Sequence, residues 1–235
     1  MSDETANNNH TIGTLNEGPL HASLKAWCAQ PGDQAEMWVD GFVADLLRGT
    51  QVIEVQTASF ASIRDKVRSI VADHPLRLVY PVAREKWIVK VDEDCRSQLS
   101  RRKSPKRGRV EEVFTELVSF PELLADPNFA LEVLLIQEEE VRRHAPGRAW
   151  RRRGWVTHQR RLLQVVDSHL FDEPADMVQL VPGELGEPFT TADLAQAAGF
   201  GRRLAQKMAY CLRRMGALEV RGKAGRALLY VRSTG

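Results

Sequence analysis

Residues 76–82, LRLVYPV, constrain this chain more than any other stretch. A short run that is apolar almost throughout has no face to give to water, so it predicts a strand in a sheet covered on both sides. Just upstream, residues 60–73 (FASIRDKVRSIVAD) place Ile63, Val67, Ile70 and Val71 on one face of an amphipathic helix. Before that helix, residues 37–42, 43–47 and 51–57 read as three strands, with Arg48-Gly49-Thr50 as a tight turn between the last two. A helix inserted between a strand and a buried strand is the crossover that parallel pairing requires. Residues 13–29 put Leu20, Leu24, Trp27 and Cys28 at helical spacing, with Pro19 suited to a first helical turn. Residues 87–91 predict one more strand. The order helix, three strands, helix, strand, strand describes a small α/β sandwich.

The three cysteines, Cys28, Cys95 and Cys211, are scattered and contain no CxxC pair. That argues against a disulfide framework and a thiolate zinc site, and it fits a reducing cytoplasm. Residues 1–11 are polar and read as a loose tail, not as a targeting peptide. No apolar run approaches the ~20 residues of a membrane helix. The net charge of +2 conceals an asymmetry. Residues 1–95 hold 9 Lys and Arg against 14 Asp and Glu, whereas residues 96–235 hold 24 against 17. A basic second part suits a polyanionic partner.

Residues 96–109 (RSQLSRRKSPKRGR) carry seven positive charges and no negative ones, and read as an exposed basic loop or linker. Residues 110–125 and 128–144 are expected to be helical, the second ending in QEEEVRRH. A second basic knot over 148–155 precedes a helix expected over 156–170. Its Trp150 and Trp155 either stack on unpaired bases or anchor the loop by packing. Further on, residues 189–199 (FTTADLAQAAG) form a helix capped by Thr190 or Thr191 and ended by Gly199. Residues 202–215 follow with Leu204, Met208, Cys211, Leu212 and Met215 as a core stripe. Residues 218–221 and 227–232 then flank a Gly222-Lys223-Ala224-Gly225-Arg226 turn as a hairpin.

Asp45 and Glu54 lie on adjacent strands of the predicted hairpin, close enough to share a face, with Gln56 two residues beyond Glu54. Converging carboxylates are hard oxygen ligands for Mg²⁺ or Mn²⁺. Glu17 near the start of the leading helix projects toward the same edge. His21, one helical turn on, either touches the site or is a surface or core-edge residue. Glu17 on a leading helix, then Asp45-x8-Glu54-x-Gln56 across a hairpin, then a helix, resembles the PD-(D/E)XK nuclease superfamily over residues 13–90. The resemblance implies divalent-metal-dependent cleavage of DNA, with Asp45 and Glu54 as metal ligands and Glu17 as an auxiliary acid. The family usually has lysine where this chain has Gln56, which can orient the attacking water but brings no charge. Lys66 or Arg64 on the next helix is the candidate to supply it.

The helix, turn, helix and two-stranded wing over residues 156–233 resemble the winged-helix superfamily. That resemblance puts Arg202, Arg203, Gln206 and Lys207 in a major groove, with Lys223 and Arg226 of the wing on backbone phosphates. The expected fold class is therefore α+β: a restriction-endonuclease-like α/β core over 12–95, a basic helical connector over 96–155, and a winged helix-turn-helix over 156–235. The expected function is a Mg²⁺- or Mn²⁺-dependent DNA endonuclease. A double-strand break needs two cuts, which is compatible with a homodimer. The alternatives are a non-catalytic DNA-binding regulator on a degenerate nuclease core, and a scaffold whose winged helix binds protein.

Overall fold

The computed structural model describes residues 18–233, apart from the Trp150 side chain. The expected tail, Glu17 and the proposed stacking of Trp150 lie outside the described residues. Helix α1 (Pro19–Cys28) opens with Pro in its first turn, where a missing N–H costs no hydrogen bond. The hairpin β1 (Gln34–Val39) and β2 (Phe42–Arg48) turns through Asp40 and Gly41, both at positive φ. The strand expected over 37–42 therefore ends at Val39, because Asp-Gly is itself a two-residue hairpin turn. The next turn, Gly49-Thr50, leads into β3 (Gln51–Val55) as expected.

After a 3-10 turn over Phe60–Ile63, helix α2 (Arg64–Asp73) returns the chain to β4 (Leu76–Val91), which pairs parallel to β3. The two strands expected over 76–82 and 87–91 are one 16-residue strand that absorbs a bulge near Arg84. β3 covers one edge of its first half and β5 (Gln98–Lys103) covers that edge of its second half. The basic segment 96–109 is thus partly a strand, and it is clamped at Gly108. A Cβ there would sit 2.4 Å from the Ala83 carbonyl, to which the Gly108 N–H donates at 2.9 Å.

The crossover to β6 (Phe129–His144) runs through α3 (Phe114–Leu117) and flanking 3-10 turns. β6 pairs parallel to β4 along its whole length, and β7 (Trp155–Phe171) pairs antiparallel to β6. The sheet order is β1-β2-β3-β4-β6-β7, with β5 attached to β4. These strands correct the helices expected over 128–144 and 156–170, and with them the helical connector. Leu, Glu and Arg favour a helix locally, but pairing with β4 buries Phe129, Leu131 and Val133 on one face and Leu134 and Ile136 on the other. The register of β7 skips His158, Leu163 and Val166. Such bulges twist an edge strand and leave the extra residue outside, which accounts for Leu163 and Val166 being 45% and 41% exposed.

The chain ends with α4 (Pro174–Val178), α5 (Thr191–Ala198), α6 (Arg202–Arg214) and the hairpin β8 (Leu218–Ala224) and β9 (Ala227–Arg232). The Thr190 hydroxyl accepts from the Ala192 and Asp193 amides, while Asp193 accepts from the Thr190 N–H, a reciprocal cap. Gly199 ends α5 at φ 66°, a left-handed conformation that favours glycine. The helix expected to lead this unit is β7, so the helix-turn-helix and hairpin occupy residues 190–232. The fold class is α+β.

Two layers of core hold the sheet. On one face, Leu20 and Leu24 of α1 pack on Leu46, Ile53, Val55 and Val79. On the other, α2, α3 and α6 share one core through Val67, Phe114, Leu117, Met208 and Leu212. Each fully buried side chain of this size contributes about 1.5–3 kcal/mol. Arg109 fastens the last unit to the sheet. It donates to the Ala198 carbonyl at 2.7 Å and stacks over Phe200.

Candidate functional site

Asp45 of β2 and Glu54 of β3 are brought together where α1 and α2 approach the same end of the hairpin. Asp45 Oδ2 accepts from the Val55 N–H at 2.8 Å and lies 3.2 Å from His21 Nε2 on α1. Glu54 is 6% exposed because both faces of β3 are covered. Lys66 of α2 enters between the strands, where its Nζ donates to Glu54 Oε1 and, at 2.7 Å, to the Val43 carbonyl. The other carboxylate oxygen, Glu54 Oε2, is buried without a hydrogen-bond partner.

The electrostatics follow from this burial. Desolvation, reinforced by the Asp45 charge, pushes the Glu54 carboxyl up to about 7 against the pull of Lys66. Burial also acts to raise Asp45, but His21, the Val55 amide and Lys66 outweigh it and hold Asp45 below its ordinary range. Two carboxylates a strand apart thus differ in proton affinity.

Of the other expected residues, Gln56 is not part of the cluster. Its side-chain oxygen accepts from the Ala58 N–H at 3.0 Å, and its amide donates to the Ser59 carbonyl and Ser62 hydroxyl. It ties down the loop after β3 and is not turned toward the carboxylates. Arg64 stays at the surface beside Asp65, so Lys66 alone of the two candidates joins the site. Among the described residues, no group of three or more His, Cys, Asp or Glu side chains is arranged to hold a metal ion. Two carboxylates, one with a free buried oxygen, still match the donor set of Mg²⁺, which keeps several waters and takes one or two protein carboxylates.

In the C-terminal unit, Arg202, Gln206 and Arg226 of the β8–β9 turn line one hollow of about 400 Å³ with Thr190 and Thr191. Arg203 and Lys207 turn to the opposite margin of α6, where Lys207 Nζ donates to the Thr115 carbonyl at 3.0 Å. Lys223 is exposed on β8. Tyr210, Arg213 and Arg214 extend the exposed face of α6, and the i, i+4 spacing from Arg202 through Gln206 to Tyr210 was the signal for them.

Sequence reasoning also missed a layer of charge on the second half of the sheet. Fully buried Glu138 accepts from Arg160 at 2.7 Å and lies 2.9 Å from Lys86. Glu140 accepts from Lys86 and Arg142, and these cations outweigh desolvation to bring it down to about 2. With β6 read as a helix, these partners could not be seen as neighbours across strands.

A family model for a domain of unknown function, DUF8091, matches residues 18–172. The chain belongs to this family. The DUF8091 match begins just before α1 and ends one residue after β7, so it takes in the sheet and the Asp45–Glu54–Lys66 cluster and leaves out α4 to β9. A protein of Treponema pallidum (strain Nichols) described as uncharacterized is 30% identical over 223 residues, covering 94% of this chain and 87% of the relative. That similarity runs beyond the DUF8091 domain into the C-terminal unit. No solved structure matches the chain.

Proposed function

We propose that this protein is a divalent-metal-dependent DNA endonuclease, in which a PD-(D/E)XK-like core cuts and a winged helix over the C-terminal unit holds the substrate. The observation that carries the proposal is Lys66 seated on Glu54, with Glu54 Oε2 unpartnered and Asp45 alongside. The chain order also supports it: a leading helix, an antiparallel hairpin bearing the carboxylates, a crossover helix and a parallel strand.

Asp45 and Glu54 Oε2 are the groups that would hold Mg²⁺ or Mn²⁺, whose part when bound is to draw charge from a phosphodiester oxygen and acidify a bound water. Asp45 contributes a settled negative charge, since its proton is lost well below neutrality. Without a metal the Glu54 carboxyl is pushed up to about 7, so an ion held there would compete with a proton for it. Lys66 supplies the positive charge that Gln56 lacks, from the helix instead of the strand. At the far end, Arg202, Gln206 and Arg226 meet the duplex together, while Lys223 adds a phosphate contact from the wing.

A second reading, a DNA-binding regulator on a core that no longer cuts, is favoured by one observation: Gln56 is engaged in its own loop. The test is cleavage of plasmid and single-stranded DNA with Mg²⁺ or Mn²⁺. Wild type is expected to cut, EDTA and Glu54→Ala to abolish cutting, and Lys66→Ala to remove most of the rate. Salt-dependent duplex binding without cleavage of any DNA form moves the conclusion to the regulator.

A further inference from the structure

We infer that the cleft between α6 and the second half of the sheet is a track for a single strand of nucleic acid. The inference rests on the nuclease and winged-helix reading and names the form of substrate that reading leaves open. The cleft has a volume of about 980 Å³, and seven Lys and Arg side chains line it against three Glu. Its lining runs from the neighbourhood of the loop after β3 to α6, on the margin of that helix opposite Arg202. At one end Tyr80 follows Val79, the residue paired with Val55, so it lies beside the strand that carries Glu54. There Arg160, a lining residue, donates to the Thr57 carbonyl at 3.0 Å in the loop directly after that strand. Glu116, also lining the cleft, accepts from the Phe60 N–H of the same loop region. At the other end the lining is Arg203, Leu204 and Lys207 of α6.

The charge in the cleft is arranged in two tiers. The floor is neutralised: Glu138 and Glu140 fix Lys86, Arg142 and Arg160 in place. The rim holds the surplus. Among the described residues Arg203 has no ion-pair partner and Lys207 is held by an uncharged carbonyl, whereas Lys106 pairs with Glu112 at 2.9 Å and Arg152 lies 3.6 Å from Glu140, both with exposed side chains. Between the tiers the partly exposed side chains of Tyr80 and Leu204 give apolar surface against which bases can lie whatever their sequence. Size selects the form of ligand. Pockets of about 300–1,000 Å³ enclose molecules of drug size, which is a few nucleotide units. A double helix, with a major groove alone about 12 Å wide, does not enter. A cationic rim over an apolar wall, leading from the proposed duplex-binding helix toward the loop that follows the Glu54 strand, is a path for one strand.

The test uses the full chain carrying Glu54→Ala, so that cleavage does not interfere, and reads fluorescence anisotropy with a labelled dT12 oligonucleotide and a matched duplex. Adding Lys106→Glu and Arg203→Glu is expected to weaken dT12 binding at least tenfold. The slope of log affinity against log salt should become shallower by about 1.4, or about 0.7 for each lost phosphate contact on a single strand. Duplex binding, anchored by Arg202, Gln206 and Arg226, should change less than threefold. Unchanged dT12 affinity, or an equal loss for both DNA forms, overturns the track. So does dTMP binding as tightly as dT12, which makes the cleft a small-molecule site. Because binding is read without cleavage, an inactive wild type that still shows cleft-dependent dT12 binding sinks the enzyme reading and leaves the track standing.

Discussion

Replacing Glu54 with glutamine tests whether burial, and not its ion pair, governs this carboxylate. Glu54 is buried, beside a second carboxylate, and its proton affinity rises from a pKa of 4.5 to about 7. Every tenfold change in proton affinity is worth about 1.4 kcal/mol, so the change amounts to about 3 kcal/mol. The side chain is 7% exposed, which leaves little solvent to screen it. Because the folded pKa lies above the unfolded one, the folded protein keeps a proton that the unfolded chain releases between pH 4.5 and 7. The contribution of Glu54 to stability is therefore complete below pH 4.5 and declines across that window as pH rises. Glutamine imitates the protonated acid and should not follow this decline. Urea unfolding in EDTA, at pH 4.5 to 8, is expected to show the wild type losing about 3 kcal/mol relative to Glu54→Gln. At about 1–3 kcal/mol per molar urea, the gap between midpoints opens by about 1–3 M. Parallel stability curves would refute the argument. A gap of opposite sign would show that the contact with Lys66 outweighs desolvation and holds the Glu54 pKa low.

Three more outcomes can be checked independently. Leu24→Ala removes a fully buried side chain of α1 and should cost about 2–5 kcal/mol in urea unfolding, with the cost depending on how far the pocket collapses. Thr190→Ala breaks the reciprocal cap of α5 and should cost about 1 kcal/mol, with faster amide exchange in the first turn of that helix. Arg202→Ala combined with Arg226→Ala should flatten the salt dependence of duplex binding by about 1.8, since each lost phosphate contact on B-DNA contributes about 0.9; an unchanged slope removes these residues from the proposed duplex contact.

The N-terminal pattern was legible because its signals are local. Alternating strands, the Gly49 turn, the amphipathic α2 and the all-apolar opening of β4 each appear in a short window, and together they place Asp45, Glu54 and Lys66 in one neighbourhood. The capping residues and core stripe of α5 and α6 were legible for the same reason. What lay beyond reach was pairing at long sequence distance. Residues 128–144 contain good helix formers, and only a partner strand just over fifty residues upstream makes Glu138 and Glu140 acceptable in a sheet interior, by bringing Lys86 to them. The same holds for Gln56, whose chemistry suits an active site but whose side chain is claimed by a loop that folds back on it. Local propensity and side-chain type thus determined which residues could act, while the tertiary structure decided which charges meet. A strand buries its charged side chains only where neighbouring elements supply their partners, and for Glu138 those partners lie on other strands that no short window of sequence contains.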